Sequence, residues 1–197
     1  MRVRRLTAIA TAMTLAGAAL VALEAAPATA SNTIRASGTF SFTTANGILP
    51  TWTADDIALI GVSPGSVMTA ASNLTAFVSV PIVAKTGSAN AAAGGFRINN
   101  IKTGASVRCS SPTIDTRARV IDCVLADGTN LPLLAITSIG SRAKVSGAAT
   151  TTWVYKKVVL RLNGQSVADS LNQELDTSTF SPYVTIGTGD LIVTTAR

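Results

Sequence analysis

The chain has 197 residues, with 16 lysines and arginines, ten acids and no histidine. The lack of histidine excludes Ser-His-Asp and Cys-His nucleophile arrangements, H-E-x-x-H zinc sites and any imidazole acid–base near neutral pH. No G-x-x-x-x-G-K-[ST] or G-x-G-x-x-G run is present either, so nothing in the chain points to a phosphate-cradling loop.

The chain opens with three arginines in its first five residues, Arg2, Arg4 and Arg5. An almost uncharged stretch from Leu6 to Leu23 follows, and then Ala28-Thr29-Ala30 before the polar Ser31. Cationic head, apolar middle and an A-x-A site make residues 1–30 a secretory signal peptide cleaved after Ala30, with Ala28 and Ala30 as the small residues at the cut. The expected mature protein is residues 31–197, one β-rich domain, secreted or held at the cell surface, with no membrane span left after cleavage. The leader holds three of the cations and one of the acids, so 13 cations face nine acids in the remainder. That balance is too mild to argue for a nucleic-acid partner.

Period-two alternation marks the rest as all-β. Phe40 and Phe42 alternate with Thr39, Ser41 and Thr43, and Asn46-Gly47 offers a hairpin turn before a strand resuming at Ile48. Leu74 to Val83 is an apolar run in which Pro81 implies a break or an edge. Ala91 to Gly95 reads as a loop. Val107 and Cys109 share a face of one short strand, and Ile121, Cys123 and Leu125 share a face of another, with Ser110 to Asp115 as the connection. This places Arg108 and Asp122 as diagonal neighbours on the outer face.

Cys109 and Cys123 are the only cysteines. In an exported chain such a pair reads as a disulfide, and no C-x-x-C spacing favours redox-active thiols. Asp127-Gly128 and Asn163-Gly164 mark further turns. Ser166 to Leu175, with Val167, Leu171 and Leu175 at helical spacing and Ser166 as N-cap, predicts one short helix over 166–175. The expected architecture is an antiparallel β-sandwich.

Few residues suggest chemistry. Glu174, Asp169 and Asp176 could form a carboxylate pair for glycoside hydrolysis, but they read more simply as solvated helix charges. Asp55-Asp56 lacks the spaced oxygens of a calcium loop. No catalytic residue, metal or cofactor is expected. Two basic clusters stand out: Arg97, Lys102, Arg108, Arg117 and Arg119, and then Arg142, Lys144, Lys156, Lys157 and Arg161, the latter in a stretch with no acid from Gly128 to Ala168. Strict alternation puts Trp153, Tyr155, Lys157 and Arg161 on one strand face, an aromatic and cationic row suited to cell-wall polysaccharide or another envelope component. The plainer reading packs Trp153 and Tyr155 at the rim of the core.

The function expected is therefore a non-enzymatic binding, adhesion or envelope-structural protein. An envelope β-barrel or pore subunit, and a small protease inhibitor presenting a disulfide-pinned loop between Ser110 and Asp122, are the alternatives.

Overall fold

The structure, a computed structural model, describes residues 32–197. The expected leader, with Ala28 and Ala30 at its cleavage site and Ser31 as the mature start, lies outside the described residues.

In chain order the elements are β1 (Thr33–Thr44), α1 (Ile48–Ala54), β2 (Ile57–Val62), β3 (Ser66–Thr69), β4 (Ala76–Thr86) and β5 (Ala89–Ala92). They continue with β6 (Gly95–Asn100), β7 (Ser106–Asp115), β8 (Val120–Val124), β9 (Asn130–Ser146), β10 (Thr150–Leu162), α2 (Gln165–Glu174) and β11 (Thr185–Ala196). The all-β class holds, but the sandwich does not. Eight strands pair in the circuit β7–β5–β4–β1–β11–β10–β9–β8 and back to β7, all antiparallel, and so close a barrel. Outside the circuit, β6 continues along the other half of β7 and carries β2, while β3 lies beside β4.

The reason for closure lies in strand length and bulges. A sandwich uses short flat strands, whereas β9 and β10 run 17 and 13 residues here. Register shifts between Arg35 and Gly38, Ser110 and Thr113, and Tyr155 and Val158 coil the strands until the sheet meets itself. Gly189 is required where the wall is tightest: a Cβ there would run into the Ser41 carbonyl and the body of Phe42.

Inward faces carry the core. Phe40, Phe42, Val78, Val80, Ile82, Ile114, Ile121, Leu134, Ile136, Val158, Leu160, Leu191 and Val193 are all buried. Burying each such side chain contributes about 1.5–3 kcal/mol. The space left among them, lined by Phe42, Trp52, Phe96 and Leu162 among others, is about 20 Å³, enough for a water at most. The barrel is filled, so a ligand has to bind at an end or on the outside.

One end is plugged. Trp52 of α1 packs on Phe180 with centroids 5.4 Å apart, and α2 buries Val167, Ala168 and Leu171 over the same end. Asn172 brackets Phe180 with both of its amide atoms, and Asn100 Nδ2 donates to the Leu175 carbonyl at 2.8 Å.

Several local expectations change. Gly47 does adopt positive φ (88°), but the chain then enters α1, burying Ile48, Leu49 and Trp52, rather than a second hairpin strand. The second helix starts at Gln165, with Gly164 at its N-cap and no side-chain cap, so Ser166 lies inside the first turn. Ser110 to Asp115 is strand, and the connection is the tight turn Thr116–Arg119. Ala91 and Ala92 are also strand, with only Ala93 and Gly94 turning. Pro81 lies inside β4 without breaking it. Its carbonyl accepts from Ala93 N, so its missing N–H faces the gap where β3 has ended and β5 has not begun.

Candidate functional site

The open end of the barrel is built from strand ends: the start of β1, the β4–β5 turn, the Thr116–Arg119 turn, the β9–β10 hairpin and the end of β11. The sequence brings cations to each of these places. Lys85 comes from β4, Arg117 and Arg119 from the turn, Arg142 and Lys144 from β9, and Arg197 from the chain end. Asp115 is the acid among them. At the plugged end stand Asp55 and Asp56, Asp127, and the α2 acids Asp169 and Glu174 with Asp176 just beyond. The fold thus collects halves of two sequence-distant basic clusters at one mouth and leaves most acids at the other end.

A bulge in β10 decides which side chains face the mouth. Tyr155 is opposite Leu191 and Val158 is opposite Gly189, so three steps on β10 match two on β11. Lys157 takes φ 54° within this bulge. Asp190 pins it, accepting Lys157 N at 3.1 Å and the Lys156 ammonium at 2.7 Å. Asp190 is held below the usual carboxylate range: burial pushes it up, but the bonds from Lys156 and Lys157 N and the Lys156 charge outweigh that.

The extra residue divides the row read from strict alternation. Trp153 and Tyr155 pair with the buried Val193 and Leu191 and so point inward, whereas Lys157 and Arg161 stay exposed on the outer side, out of phase with the buried Val158, Leu160 and Leu162. The partners of the two rings come from elsewhere. Lys144 and Arg142 are their cross-strand neighbours on β9, with the Lys144 ammonium 5.9 Å from the Trp153 ring centre and the Arg142 guanidinium 5.9 Å from that of Tyr155. Lys85 reaches over from β4, its ammonium 5.1 Å from the centre of the same Trp153 ring. Ring faces at these distances attract a cation by about 0.5–1 kcal/mol at exposed sites.

These cations have no carboxylate partner. Among the described residues the ion pair is Lys156–Asp190, on the outer face. Burial lowers the Lys85 pKa below the ordinary lysine value, and the nearby Asp115 charge only partly opposes this. Asp115 is occupied with its own turn, accepting from Arg117 N and Ala118 N at 2.8 and 2.9 Å. Beside Lys85 in the register, the buried Asn90 donates to the Ser88 and Ile114 carbonyls while its Oδ1 has no partner. Nothing in alternation alone could have found Lys85, whose role depends on β4 lying three places from β10 around the barrel.

The other sequence candidates are dispersed. Cys109 and Cys123 form the expected disulfide between β7 and β8, both buried. Arg108 and Asp122 do not pair, because the shift after Ser110 sets Asp122 opposite Thr113. Burial and the Asp115 charge then raise the Asp122 pKa. Asp55 accepts from Thr179 Oγ1 and Asp169 from Gln165, both structural contacts. Among the described residues no three His, Cys, Asp or Glu side chains converge as a metal site would need. The Ser110–Asp122 segment is two strands and a four-residue turn, not an extended loop.

No known protein family and no curated protein matches the chain. Among solved structures, the heme-binding protein HtaB from Corynebacterium glutamicum is similar at 10% identity and a TM-score of 0.49, covering 84% of this chain and 98% of that one. A likeness of that size transfers neither ligand nor role.

Proposed function

We propose that this protein is an exported, non-enzymatic binding protein that holds an anionic ligand at the open mouth of its barrel. The observation that carries this reading is the set Lys85, Arg142 and Lys144, each held against a ring face and none against a carboxylate. Cations fixed on aromatic rings keep their charge for an outside partner, and most of their N–H donors too, Lys85 giving one to the Gly87 carbonyl. The filled interior favours the mouth over an internal cavity. Export rests on the leader and accords with the disulfide.

The pore alternative fares worse. A membrane barrel turns its apolar side chains to lipid. Here most point inward, and along β1 the outward positions are Ser37, Thr39, Ser41 and Thr43. No helix among the described residues is long and apolar enough to cross a membrane. The inhibitor alternative loses its loop.

The test is titration of the mature protein with polygalacturonate, with uncharged dextran as the control. Saturable binding that falls about tenfold or more in Arg142→Ala/Lys144→Ala, but stays unchanged in Lys157→Ala/Arg161→Ala on the outer face, supports the mouth. Equal losses in both variants would show a diffuse charge effect and refute it.

A further inference from the structure

The mouth is not walled all round. β8 pairs with β9 only between Asn130 and Ala135, and the Arg119 carbonyl accepts the next amide, that of Ile136, at 2.9 Å. From Thr137 to Ser146 β9 is paired by β10 alone, and apart from Ile139 those ten residues are exposed. At the strand rise that is an open edge of about 33 Å. Arg119 stands at its foot, its guanidinium 3.4 Å from the Thr137 carbonyl, and Arg142 and Lys144 follow along it.

Resting on the mouth reading above, we infer that the anionic ligand is a chain, an acidic polysaccharide that leaves the mouth sideways along this edge. The chemistry matches on three counts. The edge presents unpaired N–H and C=O groups in alternation, and sugar hydroxyls both donate and accept. Carboxylates on the chain meet Arg119, Arg142 and Lys144 in turn. The partly exposed surfaces of Trp153 and Tyr155 lie beside those cations and suit the C–H faces of sugar rings. A small anion held by Arg142 and Lys144 would leave Arg119 and most of the ten-residue edge unused. An acidic peptide adding as a strand would use the backbone groups but has no need of the rings.

The experiment measures the affinity of the mature protein for galacturonate oligomers of rising length, from dimer to octamer and beyond, with poly-L-glutamate alongside. The chain reading expects affinity to climb about tenfold or more from dimer to octamer and then level off. Arg119→Asn, which tolerates the positive φ of 58° there, should weaken the octamer several-fold and the dimer by less. Equal affinity for dimer and octamer overturns the inference while leaving an anion-binding mouth intact. Tighter binding of poly-L-glutamate overturns it in favour of an acidic peptide. If no anion of any length binds the folded protein, the mouth reading itself falls and the chain reading with it.

Discussion

Lys85 and Trp153 meet across the mouth of the barrel: the ammonium lies 5.1 Å from the indole centre although their strands stand three places apart around the circuit. With Lys144 also 5.9 Å from that ring, Trp153 sits in a concentrated positive field. Its emission should therefore report on charge. Trp52, the other tryptophan, is buried in the plug and can be replaced by Phe. In that background iodide should quench Trp153 with a constant about twofold or more above that of caesium, because local positive potential concentrates anions. Lys85→Ala/Lys144→Ala should abolish the difference. Equal quenching by the two ions in the parent would show that the cations do not dominate the field there.

Asp122 supplies a pH-dependent test on the wall. Burial and the Asp115 charge raise its pKa in the folded state, so ionised Asp122 costs stability. The cost is present at neutral pH, where the group is charged folded and unfolded alike. It disappears as pH falls below the unfolded value of about 3.9, where the group is protonated in both states. Asp122→Asn should therefore stabilise the protein at pH 7, by on the order of tenths of a kcal/mol, since the group is only partly buried and its charge is screened. The gain should vanish in acid. Urea midpoints across the pH range check both the sign and the window.

The disulfide joins Cys109 and Cys123, 14 residues apart, inside the core. Closing a loop of this size contributes about 3 kcal/mol on the chain-entropy account. Cys109→Ala/Cys123→Ala should lower the unfolding free energy by about that amount, with the same near-ultraviolet circular dichroism at low temperature. A change below about 1 kcal/mol would mean that the unfolded chain keeps β7 and β8 together without the bridge.

How far the sequence could be read follows from which features are local. Alternation around Phe40 and Phe42, the turn at Asp127-Gly128 and the cysteine pair depend on neighbours in the chain, and all three stand. The helix over 166–175 was visible to within a residue because Val167 and Leu171 repeat at its period. Barrel closure was not visible, because it depends on bulges that a strict two-residue period cannot express. The same blind spot hid α1, where Gly47 looks like a hairpin but Trp52 gains more by plugging the barrel. It also divided the candidate site: Trp153 and Tyr155 were found, but one uncounted residue put Lys157 and Arg161 on the other face. Lys85 was missed because its contact spans 68 positions of sequence and needs the barrel to exist.

The bulge itself is the sharpest test of how the site is built. Asp190 holds Lys157 N and the Lys156 ammonium, and its carboxyl stays below the usual range despite burial because of those bonds. A depressed carboxylate contributes stability above its unfolded value of about 3.9, and that contribution is lost as pH falls through the lower folded value. Asp190→Ala should loosen the bulge at neutral pH but not remove the extra residue, so binding at the mouth should fall only a few-fold. Deleting Lys157 removes the extra residue outright. Without the extra residue, Trp153, Tyr155, Val158, Leu160 and Leu162 fall two apart and share the inward face by plain alternation, so the rings stay inward with no bulge. The deletion variant should keep its barrel, keep the Trp153 emission wavelength in the Trp52→Phe background, and bind anions within a few-fold of the parent. Red-shifted emission with binding lost about tenfold or more would mean that the hairpin re-registers against β9 and β11, and that the bulge itself is needed to hold the two rings in the mouth.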